Sequence, residues 1–100
     1  MDDWTRAAFE RLLSLAQSDT DQSRRAANFL LAWWNADSQG GFDMADLFGV
    51  DSSIAADMGT VFTWLAGQDI AVYPTEYSAS IEKLIEEWRP DVWAETKASS

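Results

Sequence analysis

Three short patterns in this chain hold residue types that could do chemistry. Ser80-Ile81-Glu82-Lys83 has the Ser-x-x-Lys spacing of serine acyl enzymes. On a helix that spacing puts both side chains on one face, where a lysine could deprotonate the serine. The companion Ser-Asp-Asn and Lys-Thr-Gly segments are absent from the sequence, and 100 residues are too few for that fold. A solvated helix face is the reading that remains. Asp37–Asp46 is acidic and contains Gly40-Gly41, which invites comparison with a calcium loop. An EF-hand loop needs acids at its first, third and fifth positions, glycine at the sixth and glutamate at the twelfth. Counting from Asp37 puts Gln39, Gly41, Phe42 and Phe48 at the last four of those places, so no calcium site is expected. Glu86 and Glu87 are adjacent and point about 100° apart on a helix. They do not form a simple general acid and base pair.

Composition closes further routes. The chain has no histidine and no cysteine. The commonest general base, the commonest metal ligand, a thiolate zinc site, a cysteine nucleophile and a disulfide framework are therefore all excluded. No enzyme activity, no cofactor and no metal are expected. Seventeen acids against seven bases give a net charge of −10, with a pI near 4.1. Long-range repulsion then opposes direct binding to nucleic acid or to an anionic membrane.

The negative charge is concentrated. Arg25 and Lys83 are consecutive bases, and eight acids lie between them: Asp37, Asp43, Asp46, Asp51, Asp57, Asp69, Glu76 and Glu82. Two readings fit this base-free middle. In the first, Asp43 and Asp51 are helix N-caps worth about 1 kcal/mol each, and the remaining charge keeps the protein dispersed. In the second, Asp37, Asp43, Asp46, Asp51 and Asp57 present carboxylates to a basic protein surface. Asp43 and Asp46, three apart, would lie roughly 5–6 Å apart at Cβ on one helical face. That is close to the spacing of successive phosphates, so a DNA-mimicking face is one form of this reading. Relief of carboxylate crowding is expected to stabilise the fold as pH falls from 7 towards about 5.

The elements that position these residues read as helical almost throughout. Trp4, Ala8, Leu12 and Leu15 make one stripe, capped by Asp2 or Asp3. A second helix runs from about Asp21 to Ala36 and is apolar on nearly all sides over Ala26–Trp34, as befits the most enclosed helix. Asn28 interrupts it and needs a hydrogen-bond partner if buried. Trp33 and Trp34 are neighbours and cannot share one face; one belongs in the core and the other at its edge, where tryptophan serves as a binding hot spot. Asp37-Ser38-Gln39 reads as a polar link, and Phe42–Gly49 as one or two turns capped by Asp43. Ile54, Met58, Val61, Phe62 and Leu65 mark one helix face, and Tyr77, Ile81, Leu84, Ile85 and Trp88 another, capped by Thr75 and stopped by Pro90. Val92 and Trp93 form a final turn. The expectation is a compact all-α single domain over residues 1–95, with four main helices and one or two short ones. Residues 96–100 form a flexible tail.

The segments Gln22–Ala36, Gly40-Gly41-Phe42-Asp43, Asp46-Leu47, Val50-Asp51, Asp57-Met58, Val61-Phe62, Tyr73-Pro74 and Trp88-Arg89-Pro90 resemble a small domain of unknown function found in proteobacteria, often on phages, plasmids and integrative elements. The resemblance spans about residues 9–93. It implies no established activity for any residue, but it does imply a bacterial, mobile-element setting. By analogy with that setting, the expected function is a non-enzymatic inhibitor of a host defence, of the anti-CRISPR or anti-restriction type. It would bind a nucleic-acid-binding protein through the acidic face. The alternative is a structural or self-associating module, such as a homodimer, with an apolar interface around Trp33, Trp34 and Trp93. The longest apolar run, Phe29–Trp34, has six residues against the roughly 20 that span a bilayer. No membrane segment and a cytoplasmic location are expected.

Overall fold

Asp2 accepts a hydrogen bond from the Thr5 backbone N–H at 2.7 Å and so starts α1, Asp3–Ala16. Thr20 does the same for α2, Asp21–Gln39, by accepting from Ser23 N–H. The computed structural model describes residues 1–99. After α2 come a 3-10 turn at Met44–Gly49, α3 at Ser52–Ala66, a 3-10 turn at Thr75–Tyr77, α4 at Ser78–Trp88 and α5 at Pro90–Ser99. No strand occurs among the described residues. The fold is all-α, in one domain, as the spacing predicted.

α1 packs against both α2 and α3, α2 against α4, and α4 against α5. The core comprises Phe9, Leu12, Leu30, Leu31, Met58, Val61, Ile81 and Leu84, each almost wholly buried, with Ala8, Ala16, Ala26 and Ala27 between them. These alanines let the helix backbones approach closely in the middle of the bundle, where the large side chains interlock. Two tryptophans tie elements together by their indole N–H groups. Trp88 donates to the Ala16 carbonyl at 2.8 Å, joining α4 to the end of α1. Trp33 donates to the Val72 carbonyl at 2.7 Å, joining α2 to the 67–74 connection. The Trp33 ring also meets Phe9 edge-on at 5.8 Å and Trp64 at 6.5 Å.

Several expectations need correction. Trp4 is 75% exposed and Phe62 65% exposed, although both sat on apolar stripes. On α3 the inward positions are Met58 and Val61, flanked by the partly buried Ile54 and Leu65. Phe62 lies beyond that seam. On α1 the inward place in the first turn is held by Thr5, which is buried, and Trp4 points about 100° away from it. Thr75 begins a 3-10 turn and makes no side-chain cap. Pro90 ends α4 but also opens a fifth helix, because its fixed φ and missing N–H suit the first helical position. α5 thus carries Val92 and Trp93 and runs through Thr96 to Ser99; of the expected tail, residue 100 lies outside the described residues. No helix is long and apolar enough to cross a membrane among the described residues.

Candidate interaction surface

Asn28 finds its partners across the fold. Its Oδ1 accepts from Arg89 at 2.8 Å and its Nδ2 donates to Asp46 Oδ2 at 3.3 Å. Asp46 also accepts from Arg25 at 2.7 Å and is buried. Arg25 in turn reaches Asp21 at 2.8 Å. Asp46 therefore faces inward, and the structure does not set Asp43 and Asp46 on one open face. A 3-10 turn begins at Met44, and Asp43 is its cap, accepting from Ala45 N–H at 2.9 Å while staying exposed. Asp57 is held too: Arg11 meets it with two parallel bonds of 2.8 and 2.9 Å, and the Asp57 side chain is only 16% exposed.

Of the five aspartates singled out in the sequence, Asp37, Asp43 and Asp51 are exposed and make no ion pair with any described residue. Asp51 stands at the start of α3 without a side-chain capping bond. The arginines show the reverse pattern. Arg6 pairs with Glu76, Arg11 with Asp57, Arg24 with Asp21, and Arg25 with Asp21 and Asp46. Arg89 bonds Asn28 and two backbone carbonyls. Every arginine is thus directed to the chain's own groups, and the surface keeps its excess of carboxylates.

Three of the singled-out residues do come together. Trp33, Trp34 and Asp37 line one open groove of about 610 Å³, with Asn35, Tyr73 and Thr75 completing it. The local cause is Asn35, whose φ of −170° and ψ of 94° interrupt α2. Its side-chain oxygen then accepts from Ser38 N–H at 3.3 Å, so it acts as an N-cap for the last turn. The stretch expected as a polar link is that turn. Trp33 forms the inner wall, fixed by Phe9, Trp64 and Val72. Trp34 is half-buried and packs against the core at its margin. Tyr73, 52% exposed, also lines it. Sequence reasoning missed Tyr73 as a site residue. Its signal was the Tyr73-Pro74 pair at the end of a loop, and nothing local says which helix that loop covers.

The only charged side chain lining this groove among the described residues is Asp37. No group of three or more His, Cys, Asp or Glu side chains is placed to hold a metal among the described residues. A second group of exposed apolar residues lies elsewhere: Met44 at 69% and Phe48 at 93% exposure, both on the first 3-10 turn. No curated protein and no solved structure matches the chain. A family model does match, over residues 6–89. The chain belongs to DUF7673, a family of unknown function.

Proposed function

We propose that this protein is a small non-enzymatic interaction module that binds a basic protein surface. The observation that carries the reading is the division of charge. The arginines are directed to the chain's own acceptors, while Asp37, Asp43 and Asp51 of the base-free middle stay exposed and unpaired among the described residues. A surface of that kind attracts cationic partners at a distance and speeds their encounter. A phosphate-like presentation, the DNA-mimic form of the proposal, would run through these three carboxylates. The resemblance to domains carried on mobile elements suggests the partner class: a nucleic-acid-binding protein of a bacterial defence, which the module would inhibit.

The test is capture from a bacterial lysate at low and high salt, identified by mass spectrometry, with wild-type protein and the double variant Asp43→Asn/Asp51→Asn as baits. Asparagine can keep the Asp43 cap, and at Asp51, which makes no side-chain capping bond, it only removes charge. A basic protein held by the wild type, released by salt and lost with the double variant supports the proposal. Capture that ignores both salt and the variant refutes it. A second reading, self-association, is favoured by the exposure of Met44 and Phe48. Light scattering across a concentration series checks it, and a concentration-independent monomer removes it.

A further inference from the structure

The groove between the end of α2 and Tyr73 has a composition that selects its occupant. We propose that it receives an arginine side chain of a basic partner, with the guanidinium held between the Trp34 and Tyr73 rings and paired with Asp37. This rests on the reading of the module as a binder of basic proteins, and it names the place and the chemistry.

The groove's size, lining, charge and rigidity support it. The groove, about 610 Å³, is roomy enough for a long side chain and open to solvent. Trp33, Trp34 and Tyr73 are among its lining residues, and aromatic rings attract cations. Its one charged lining residue among the described residues is a carboxylate, which a guanidinium meets in a planar fork that an ammonium lacks. Asp37 is exposed and makes no ion pair among the described residues, so its charge is available to a partner. The inner wall is already rigid. Trp33 is locked by its bond to Val72 and its edge contacts with Phe9 and Trp64, so little side-chain entropy is lost there on binding. A second copy of this chain is a poor source of the arginine, because each of its five arginines is engaged within its own fold.

The experiment is a titration of the intact protein with a hexa-arginine amide peptide, followed through the tryptophan indole N–H signals by NMR. Trp34→Phe assigns its signal. A hexa-citrulline amide, equal in shape and neutral, is the control. The expected result is a shift of the Trp34 indole signal with the arginine peptide and none with citrulline. Asp37→Asn and Tyr73→Ala should each weaken that binding about five- to tenfold, while Tyr73→Phe, which keeps the ring, binds like wild type. Asp37 and Tyr73 are exposed, so these variants fold, and an unchanged thermal midpoint verifies it. Equal shifts with citrulline, or affinities unmoved by Asp37→Asn and Tyr73→Ala, overturn the proposal. If those two variants bind normally while Asp43→Asn/Asp51→Asn releases the captured partner, the groove assignment falls and the basic-partner reading stands.

Discussion

Arg89 donates its Nε hydrogen to the carbonyl oxygen of Gln39 at 2.7 Å. The same guanidinium reaches the Trp88 carbonyl at 3.0 Å and Asn28 Oδ1 at 2.8 Å. Gln39 and Trp88 are the last residues of α2 and α4. Their carbonyls are acceptors that a helix end leaves open, and a cation there also suits the negative end of both dipoles. One side chain thus closes two helices and fastens them to the middle of α2. Partial burial and the nearby Arg24 push the Arg89 pKa down, yet a guanidinium keeps its proton at any working pH. Lysine cannot reproduce the fork. Arg89→Lys is expected to cost about 1–3 kcal/mol, and Arg89→Ala more, as read from urea unfolding midpoints.

Asp46 and Gly49 act on the same arginine from two sides. Arg25 bonds buried Asp46, and a Cβ placed on Gly49 would run into the Arg25 guanidinium. Asp46→Ala removes the carboxylate and leaves a half-buried cation and Asn28 with fewer partners, a loss of roughly 2–3 kcal/mol. Gly49→Ala pushes aside only the end of the Arg25 side chain and should cost about 1 kcal/mol through its bond to Asp46. The double variant should lose less than the sum, because both disturb one contact. Additive losses in thermal unfolding would contradict that linkage.

Asn35 interrupts α2 two residues before Asp37. Alanine favours an unbroken helix, so Asn35→Ala is expected to straighten the end of α2 with a stability change within about 1 kcal/mol. The groove, which Asn35 itself lines, should lose its shape, and affinity for the arginine peptide should fall. Helix content from circular dichroism should rise slightly or stay level.

The response to acid has a definite sign. Arg25 and Arg24 hold the Asp21 carboxyl below the usual range by hydrogen bonding, and the Thr5 backbone N–H does the same for Asp2. Groups whose folded pKa is depressed stabilise the fold above their unfolded value, and that contribution fades as pH falls through the folded one. An unperturbed aspartate titrates near pH 3.9, so the loss falls below about pH 4. From pH 7 to 5 these pairs are intact, and easing of the −10 charge should hold or raise the melting temperature. Below pH 4 it should drop, and Asp21→Asn should flatten that drop. A steady decline from pH 7 to 5 would contradict this account.

The sequence resolved the helices best where a strong apolar repeat met a clear cap. Asp2, one of the two caps expected, starts α1, and Ile81, Leu84 and Ile85 recur at the spacing of one buried face. Asn28 was read as a polar residue in need of a partner, and it has two. The misreadings share a cause. Trp4 and Phe62 fit their stripes but stay largely exposed, and a stripe does not show where its cover ends. Asp46 and Asp57 looked like surface charge, yet Arg25 and Arg11 claim them across the fold. Partners 21 and 46 residues away leave no local trace. The groove was half legible. Trp33, Trp34 and Asp37 are close in sequence, whereas Tyr73 arrives through the Val72 carbonyl that Trp33 holds.

The central claim, a module that engages a basic protein through exposed carboxylates, is tested most directly by parallel capture from one bacterial lysate. The baits are wild type, Asp43→Asn/Asp51→Asn and Asp37→Asn/Tyr73→Ala, each at low and high salt. The account predicts one basic protein on the wild type at low salt, little at high salt, and reduced capture on both variants. The same amount of partner on all three baits at both salt concentrations would contradict it.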